Sequence, residues 1–449
     1  PGAMEPKVLR SFEYGDGDSV VKVVVYSFPL QLRAAFGTSH SSTTVRTNAL
    51  FKVQVGTFCG EGEVGLPPKK AHVYLSDLDD VIAFADAVKA KLASLSEQEK
   101  EEADEYDPFQ ELPPRFFAGL RIKNRLNCSL HSSDGLSSET ENEVRSGAER
   151  GVRRLFSCMD SLPDRPAWRA PASGLESALL VLWARLYSCA LYEMIGFDVP
   201  AVRPSFYTVA MNEDEAELVE GATFGMQFTP HIKVKLNADF GRGKRVLDLV
   251  TSMAAERQAP AGYRLAVDAN AAWTPALARE FLGLLEGYLP HVYAVEQPYD
   301  VQVTDREEWA AVVVEYAAKG IRVIADESMC VLDDVAKLDG VATCVNLKLE
   351  KTGGIRNALR CADEAERRGM HVWIGIMVCS ILGSSTAAQL LSCSSFGGDV
   401  DGGLLVEAGH QAHLVKGGFR WGQGKDLGNV LWDIGSTIGV GCDVLVGEQ

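Results

Sequence analysis

His231-Ile-Lys-Val-Lys235 is the first of five short β-like runs that end in a charged residue. The other four are Tyr263-Arg-Leu-Ala-Val-Asp268, Val292-Tyr-Ala-Val-Glu296, Ile321-Arg-Val-Ile-Ala-Asp326 and Cys344-Val-Asn-Leu-Lys348. Successive runs end roughly 20 to 35 residues apart, which is the length of one strand, one helix and two loops of a βα barrel. The pattern therefore predicts a barrel of parallel strands, with the terminal charged residues gathered on one face.

The charged residues at the ends of these runs suggest a chemistry. Asp268, Glu296 and Asp326 stand between Lys235 and Lys348 in the sequence. Three carboxylates suit a hard divalent cation, and lysines on either side suit proton transfer. The alternative is that the carboxylates stabilise helix N-termini and the lysines extend to solvent. Equivalent positions on consecutive strands favour a common site.

These motifs resemble the enolase superfamily, and within it the muconate-lactonising subgroup and the dipeptide epimerases. The resemblance covers roughly residues 20 to 420 and depends on an ordered set: Lys233-Val-Lys235, Asp268-Ala-Asn270, Glu296-Gln-Pro298, Asp326-Glu327-Ser328 and Lys348. It implies one Mg²⁺ per subunit, held by Asp268, Glu296 and Asp326. It further implies Lys235 and Lys348 as bases on opposite faces of the substrate. Asn270 and Glu327 are expected to orient the metal ligands.

The resemblance implies Mg²⁺-dependent epimerisation of L,L-dipeptides by 1,1-proton transfer through a metal-stabilised enolate. Asp399-Val-Asp401 would bind the ammonium group of the dipeptide, and Lys233 would also contact the substrate. The alternative for the two aspartates is a polar loop flanked by glycines. We expect a small-molecule substrate, a homo-oligomer and no nucleic-acid or membrane partner.

Two positions depart from the dipeptide epimerases. Those enzymes commonly have Met-Leu-Glu-Ser after the seventh strand, where this chain has Met377-Val-Cys379-Ser380. Gly37 stands where Ala-Glu epimerases carry an arginine in the loop of the capping domain. Both changes argue against a preference for Ala-Glu. N-acylamino acid racemisation, cycloisomerisation, dehydration and an inactive binding barrel therefore remain open alternatives.

The chain is long enough for two domains. We predict an α/β protein with an α+β capping domain at residues 4–200, which includes a polar insertion around 95–150. A (β/α)7β barrel follows at 201–411, and residues 412–449 return to the capping domain. A polar loop at 33–44 is expected to cover the mouth of the barrel. Residues 78–94 and 174–196 are predicted to be helices, 124–147 a flexible stretch, and Thr304–Glu307 a capping box.

The composition narrows the class of protein. A net charge of −17 over 449 residues argues against nucleic acid as a partner. No apolar run is long enough for a transmembrane helix. The ten cysteines are dispersed, with no Cys-x-x-Cys, which indicates a reducing compartment and free thiols, including Cys128 and Cys158. We therefore expect a cytoplasmic protein.

Overall fold

The structure is a computed structural model that describes residues 5–15, 20–38, 41–116, 138–197, 201–210, 214–256, 262–433 and 436–446. Side chains at 35–38, 41, 42 and 138–144 fall outside this description, as does Cys128. Cys158 is a buried free thiol.

The N-terminal part begins with an antiparallel four-stranded sheet in the order β1-β2-β3-β4. Its strands are β1 Lys7–Tyr14, β2 Val21–Thr38, β3 Ser41–Val55 and β4 Phe58–Val64. In β2, Val21, Val23 and Val25 are buried while Lys22 is exposed, as expected for a strand with one face on a core. This sheet and the helices that follow form the predicted capping domain.

The prediction of a loop at residues 33–44 is wrong for most of that stretch. Residues 33–38 and 41–44 extend β2 and β3 as a long hairpin, with Thr38 paired to Ser41. Strand pairing satisfies backbone groups that a loop would leave to solvent. The hairpin does lie against the barrel, since Leu32 forms a backbone bridge with Val406.

The described residues of the N-terminal part also form the helices α1 Leu78–Ala93, α2 Glu97–Asp104, α3 Ser138–Asp160, α4 Arg169–Leu186 and α5 Leu191–Met194. Two 3₁₀ turns lie at Pro114–Phe116 and Pro166–Trp168. Helix α1 matches the predicted helix, and Asp77 caps it through a capping box with Asp80.

The predictions for two other stretches of the N-terminal part need correction. The expected flexible stretch is wrong at 138–147, which belongs to α3, because that helix buries Val152, Leu155 and Phe156 further along. Residues 124–137 lie outside the described part of the chain. The helix expected at 174–196 is broken after α4, where Ser188 takes a left-handed φ of 50°.

Helix α4 lies directly on strand β4, and glycines make this approach possible. A Cβ on Gly62 would lie 2.0 Å from the backbone oxygen of Gly174. A Cβ on Gly60 would lie 2.1 Å from the backbone oxygen of Ala178. Because the helix backbone touches the strand, α4 is buried along nearly its whole length.

A barrel of eight parallel strands follows, in ring order β5 to β12. The strands are β5 Tyr207–Val209, β6 His231–Lys235, β7 Arg264–Asp268, β8 Val292–Glu296, β9 Arg322–Ala325, β10 Cys344–Leu347, β11 His371–Gly375 and β12 Gly398–Asp399. A parallel bridge between Ser205 and Gly398 joins the two edge strands. Helices connect all successive strands, so the predicted (β/α)7β barrel with an α+β capping domain is confirmed.

The barrel helices are α6 Glu215–Gly225, α7 Phe240–Glu256, α8 Pro275–Leu285, α9 Arg306–Ala318, α10 Leu332–Lys337, α11 Leu349–Thr352, α12 Ile355–Arg367 and α13 Ile381–Ala388. Further 3₁₀ turns lie at Glu286–Tyr288, Gln389–Cys393 and Gly424–Asp426. The predicted capping box at Thr304 is wrong: α9 begins after Asp305, which makes no side-chain cap. The burial of Trp309, Val312 and Tyr316 against the barrel accounts for where α9 lies.

The C-terminal segment begins within α15 Ala408–Leu414, which follows the short helix α14 Gly402–Leu405. Two small ribbons follow, which pair β13 Val415–Gly417 with β16 Cys442–Val444 and β14 Arg420–Trp421 with β15 Val430–Leu431. This segment touches the N-terminal part, where Lys52 Nζ donates to the Val446 carbonyl at 3.3 Å. Within the described ranges, the structure holds no helix with the length and apolarity needed to cross a membrane.

Candidate active site

The predicted site residues stand at the carboxyl ends of the barrel strands. Lys235 ends β6 and Lys348 follows β10, and these strands lie four places apart in a ring of eight. The two lysines therefore stand on opposite sides of the barrel mouth. Asp268, Glu296 and Asp326, at the ends of β7, β8 and β9, form an arc between them.

The outer two carboxylates of the arc are held by lysines. Lys235 Nζ lies 2.6 Å from Asp268 Oδ2, and Lys348 Nζ lies 2.7 Å from Asp326 Oδ2. Lys351 Nζ lies 2.5 Å from Asp326 Oδ1. Burial would raise the pKa of both aspartates, but the neighbouring ammonium groups outweigh it and lower each pKa below its usual value.

The middle carboxylate, Glu296, is fully buried. Lys233 Nζ lies 3.0 Å from its Oε2, and Asn346 Nδ2 donates to its Oε1 at 2.7 Å. Burial raises the pKa of Glu296 to about 8; Lys233 opposes the shift, while the carboxylates of Asp268 and Asp326 add to it. The arc thus concentrates negative charge away from water, which favours a cation at this place.

The donor chemistry of the arc fits the implied Mg²⁺, because all three side chains offer the hard oxygen donors that this ion prefers. In the part of the chain that is described, no three Asp, Glu, His or Cys side chains converge as a ready-made metal site. Ammonium groups of the lysines lie against the carboxylates instead. Metal binding by this arc remains a prediction.

Asp399 and Asp401 stand at β12, on the side of the barrel opposite β8. Asp399 bonds to Lys233 and accepts a hydrogen bond from Trp373 Nε1 at 2.6 Å. Asp401 accepts one from the backbone N–H of Thr208 at 2.6 Å. Burial, and next the charge of Asp399, raise the pKa of Asp401 to about 6.

The two residues expected to orient the metal ligands have different contacts. The backbone N–H of Asn270 donates to Asp268 Oδ1 at 3.0 Å, and its side chain bonds to the same atom. Asn270 has a left-handed φ of 47°. Glu327 instead pairs with Lys70 of the N-terminal part at 2.9 Å, and its buried Oε2 has no hydrogen-bond partner among the described residues.

A cavity of about 330 Å³ lies above these strand ends. Its N-terminal walls include residues that sequence reasoning missed, namely Arg46, Pro67, Pro68, Lys69, Lys70 and Tyr74. Burial, and next the charge of Asp326, raise the pKa of Tyr74 well above its usual value. No sequence motif marks these residues, whereas Lys351 stands shortly after Lys348 in the stretch Glu350-Lys351-Thr-Gly-Gly354.

Cys379 directly follows Val378, which lines this cavity, and is 2% exposed. Burial, and next the charge of Glu63, raise the pKa of its thiol well above the usual value. Glu63 of β4 accepts hydrogen bonds from the backbone N–H of Ser380 at 3.0 and 3.1 Å and from Asn48 Nδ2 at 2.8 Å. The N-terminal sheet therefore supplies a carboxylate beside the residue that departs from the dipeptide epimerases.

The comparison with known proteins decides the family. Residues 215–425 match the family described as enolase C-terminal domain-like. An enolase superfamily member from Dictyostelium discoideum is 33% identical over 409 residues, covering 86% of this chain and 89% of that protein. The chain belongs to the enolase superfamily.

Two further relatives of this chain are named as an epimerase and a racemase. An L-Ala-D/L-Glu epimerase from Bacteroides thetaiotaomicron is 24% identical over 409 residues, covering 90% of this chain and 86% of that protein. An N-acetyl-D-glutamate racemase from Pseudoalteromonas sp is 29% identical over 299 residues, covering 67% of this chain and 87% of that protein. These relatives support an isomerase with a small-molecule substrate.

A solved structure has the same fold. It is a dipeptide epimerase from Cytophaga hutchinsonii in complex with Mg and D-Ala-L-Val. The TM-score is 0.64 at 21% identity, and the match covers 94% of this chain and 95% of the other.

Proposed function

We propose that this enolase-superfamily protein is a divalent-metal-dependent dipeptide epimerase that inverts the α-carbon next to the C-terminal carboxylate. The observation that carries this proposal is the placement of Lys235 and Lys348 on opposite sides of the barrel mouth. One lysine removes the α-proton from one face of the substrate, and the other returns a proton to the opposite face. This arrangement inverts the configuration without any other bond being broken.

Lys348 lies among carboxylates that favour its charged form. Burial would lower the pKa of Lys348, but Asp326 and Glu296 outweigh it and raise that pKa well above its usual value. The Lys348 ammonium group is therefore the proton donor in one direction of the reaction. In the reverse direction Lys348 must first lose its proton, which requires a weaker hold by Asp326.

Asp268, Glu296 and Asp326 would hold the metal in this proposal. A bound divalent cation would polarise the substrate carboxylate and stabilise negative charge as the α-proton leaves. Asn270 donates to Asp268, and Asn346 donates to Glu296 at 2.7 Å, so both amides fix the direction of the carboxylate oxygens. These contacts support a preorganised arc.

The wall of the cavity opposite the arc carries Asp399 and Asp401. These carboxylates favour a substrate that has an ammonium group. Asp401 is 3% exposed and has no ion-pair partner among the described residues. A buried carboxylate of this kind gains stability from a ligand cation. Asp399 supports the same wall through its bond to Lys233. A dipeptide spanning the cavity would place its ammonium group here and its carboxylate at the arc.

Deuterium uptake from D₂O tests the proposal. The Mg²⁺-loaded protein should incorporate deuterium at the C-terminal α-carbon of members of an L,L-dipeptide library, as measured by mass spectrometry, and should form the L,D epimers. EDTA should stop this exchange. Glu296→Gln should abolish most of the rise in melting temperature that Mg²⁺ produces, because the rise requires binding to the folded state. Absence of uptake across the library, or full metal stabilisation of the variant, would contradict the proposal.

N-acylamino acid racemisation is the second candidate, and the match to an N-acetyl-D-glutamate racemase favours it. N-acylated substrates carry no ammonium group, so they leave Asp401 without a partner. Faster exchange with N-acetyl or N-succinyl amino acids than with every dipeptide would establish this second function and exclude the first.

A further inference from the structure

The amino-terminal end of the barrel, opposite the candidate active site, carries a group of basic side chains. The first residues of β6, β7, β9 and β11 are His231, Arg264, Arg322 and His371. Residues two apart on a strand face the same side of the sheet. Ala266, two residues after Arg264, belongs to an apolar cluster to which most barrel strands contribute, as expected inside a barrel. The basic side chains therefore lie below the interior of the barrel.

Tyr293 of β8 brings the arginines of this end together. The guanidinium carbon of Arg264 lies 4.8 Å from the centroid of the Tyr293 ring, and that of Arg322 lies 4.6 Å from it. Arg203, which precedes β5, faces the same ring. Burial raises the pKa of Tyr293, and the charges of these three arginines oppose the shift. Three positive charges thus surround one half-buried ring.

No carboxylate balances these charges in the described ranges of the chain, where Arg203, Arg264 and Arg322 form no ion pair. Arg203 Nε donates to the Ser394 carbonyl at 3.2 Å, whereas the buried Nε of Arg322 has no hydrogen-bond partner there. The net charge of the chain is −17, so acidic side chains are plentiful elsewhere. Grouped cations without counter-ions favour binding of an external anion.

The two histidines add hydrogen-bonding groups at this end without adding charge. His231 is the strand partner of Arg264 and is 6% exposed. Its Nδ1 has no hydrogen-bond partner among the described residues. Burial, and next the charge of Arg264, lower the pKa of His231 to about 4. Burial, and next the charge of Arg322, lower the pKa of His371. A buried ring nitrogen without a partner is costly unless a ligand supplies one.

We propose that the amino-terminal end of the barrel binds a phosphate group, either as the free ion or as a monoester of a small molecule. Arginine suits this role because its planar, always charged guanidinium group binds phosphate oxygens through two parallel hydrogen bonds. A phosphate group carries about 1.5 to 2 negative charges at pH 7, so it offsets most of the charge of Arg203, Arg264 and Arg322. A single carboxylate would leave two of the three charges unbalanced. The phosphate site lies apart from the candidate active site and does not depend on the proposed function.

Titration calorimetry with inorganic phosphate and with glycerol phosphate tests the inference. We expect the Mg²⁺-loaded wild type to bind a phosphate probe much more tightly than acetate, with sodium chloride holding the ionic strength constant because salt screens charges. Tighter binding of glycerol phosphate would assign the site to an organic phosphate, and tighter binding of inorganic phosphate would assign it to the free ion. Binding of acetate as tightly as phosphate, or no binding of either phosphate, would overturn the inference.

Variants of the arginines locate the bound phosphate. Arg264→Gln and Arg322→Gln should each weaken phosphate binding roughly 10- to 100-fold, the range of one charged hydrogen-bonded contact. Arg322 also lies 4.5 Å from the centroid of the Phe396 ring, so its loss can lower the stability of the barrel. Arg203→Gln, which gives up one hydrogen bond to a backbone carbonyl, should fold and should weaken binding by a similar factor. Unchanged phosphate binding in Arg264→Gln and Arg203→Gln would overturn the inference.

Arg279→Gln is the matched control. It removes the same charge from α8, where Arg279 pairs with Glu315 at 3.0 Å and with Glu308 at 3.2 Å, and it should leave phosphate binding unchanged. Lys235→Ala, at the opposite end of β6, should also leave phosphate binding unchanged. Loss of binding in Lys235→Ala but not in Arg264→Gln would place the anion in the active-site cavity and contradict the proposed site.

Discussion

In the proposed function, Asp401 is the carboxylate that recognises the ammonium group of a dipeptide. It is buried, it receives one backbone hydrogen bond, and burial raises its pKa to about 6. Because the carboxylate is protonated below that pKa, its attraction for an ammonium group weakens as the pH falls. The affinity for a dipeptide should therefore depend on pH through the ionisation of Asp401.

Asp401→Asn should weaken dipeptide binding roughly 10- to 100-fold at pH 8, the value of one charged hydrogen-bonded contact. In the wild type, affinity should fall about tenfold per pH unit below pH 6, and the variant should lack this fall. Titration calorimetry from pH 5 to 8 measures both effects. A fall below pH 6 that persists in the variant would assign the titration to another group.

The strand-end residues could be predicted from the sequence, whereas their partners on the capping domain could not. Asp268 and Glu296 each end a β-like run, and the barrel repeat alone places such ends on one face. Arg46 and Lys70 reach the same cavity from a distant part of the chain. Their positions depend on how one sheet packs on the barrel, which no local pattern encodes.

Helix α4 and strand β4 form the contact on which the capping domain is built. The two backbones approach so closely that a side chain at Gly62 would collide with the backbone oxygen of Gly174, at 2.0 Å from the new Cβ. Backbone atoms cannot rotate away as a flexible side chain can. The contact therefore admits glycine alone without a shift of the helix.

Gly62→Ala should destabilise the protein by about 1–3 kcal/mol, because the helix must move away from the sheet. Gly221→Ala is the matched control: Gly221 lies within α6 with no atom near its added Cβ, and the change should stabilise the protein by about 0.5–1 kcal/mol. Thermal melting of both variants measures the difference. Equal melting temperatures of the two variants would show that α4 and β4 leave room for a side chain at position 62.

Local signals predicted individual helices unevenly. Thr274 caps α8 with Pro275 at its first position, a signal that is confined to adjacent residues and can be recognised in the sequence. The pattern at Thr304 predicts a cap equally well, yet α9 lies where its apolar face packs on the barrel. Tertiary packing outweighs a cap because a buried face contributes more free energy than one capping bond.

The closed ring of the barrel sets where the parts of the site lie relative to one another. Strands β6 and β10 face each other across it, as do β8 and β12. The first pair carries Lys235 and Lys348, and the second carries Glu296 and Asp399. A substrate held between the arc and the opposite wall would thus expose its two faces to different lysines.

Deuterium exchange by single-lysine variants tests this arrangement most directly. Each variant, Lys235→Ala and Lys348→Ala, should be given the L,L and the L,D epimer of a dipeptide that the wild type epimerises, in D₂O with Mg²⁺. We predict that each variant exchanges the α-proton of one epimer, that the two variants accept opposite epimers, and that neither forms the other epimer. Exchange of both epimers by both variants would show that the bases lie elsewhere.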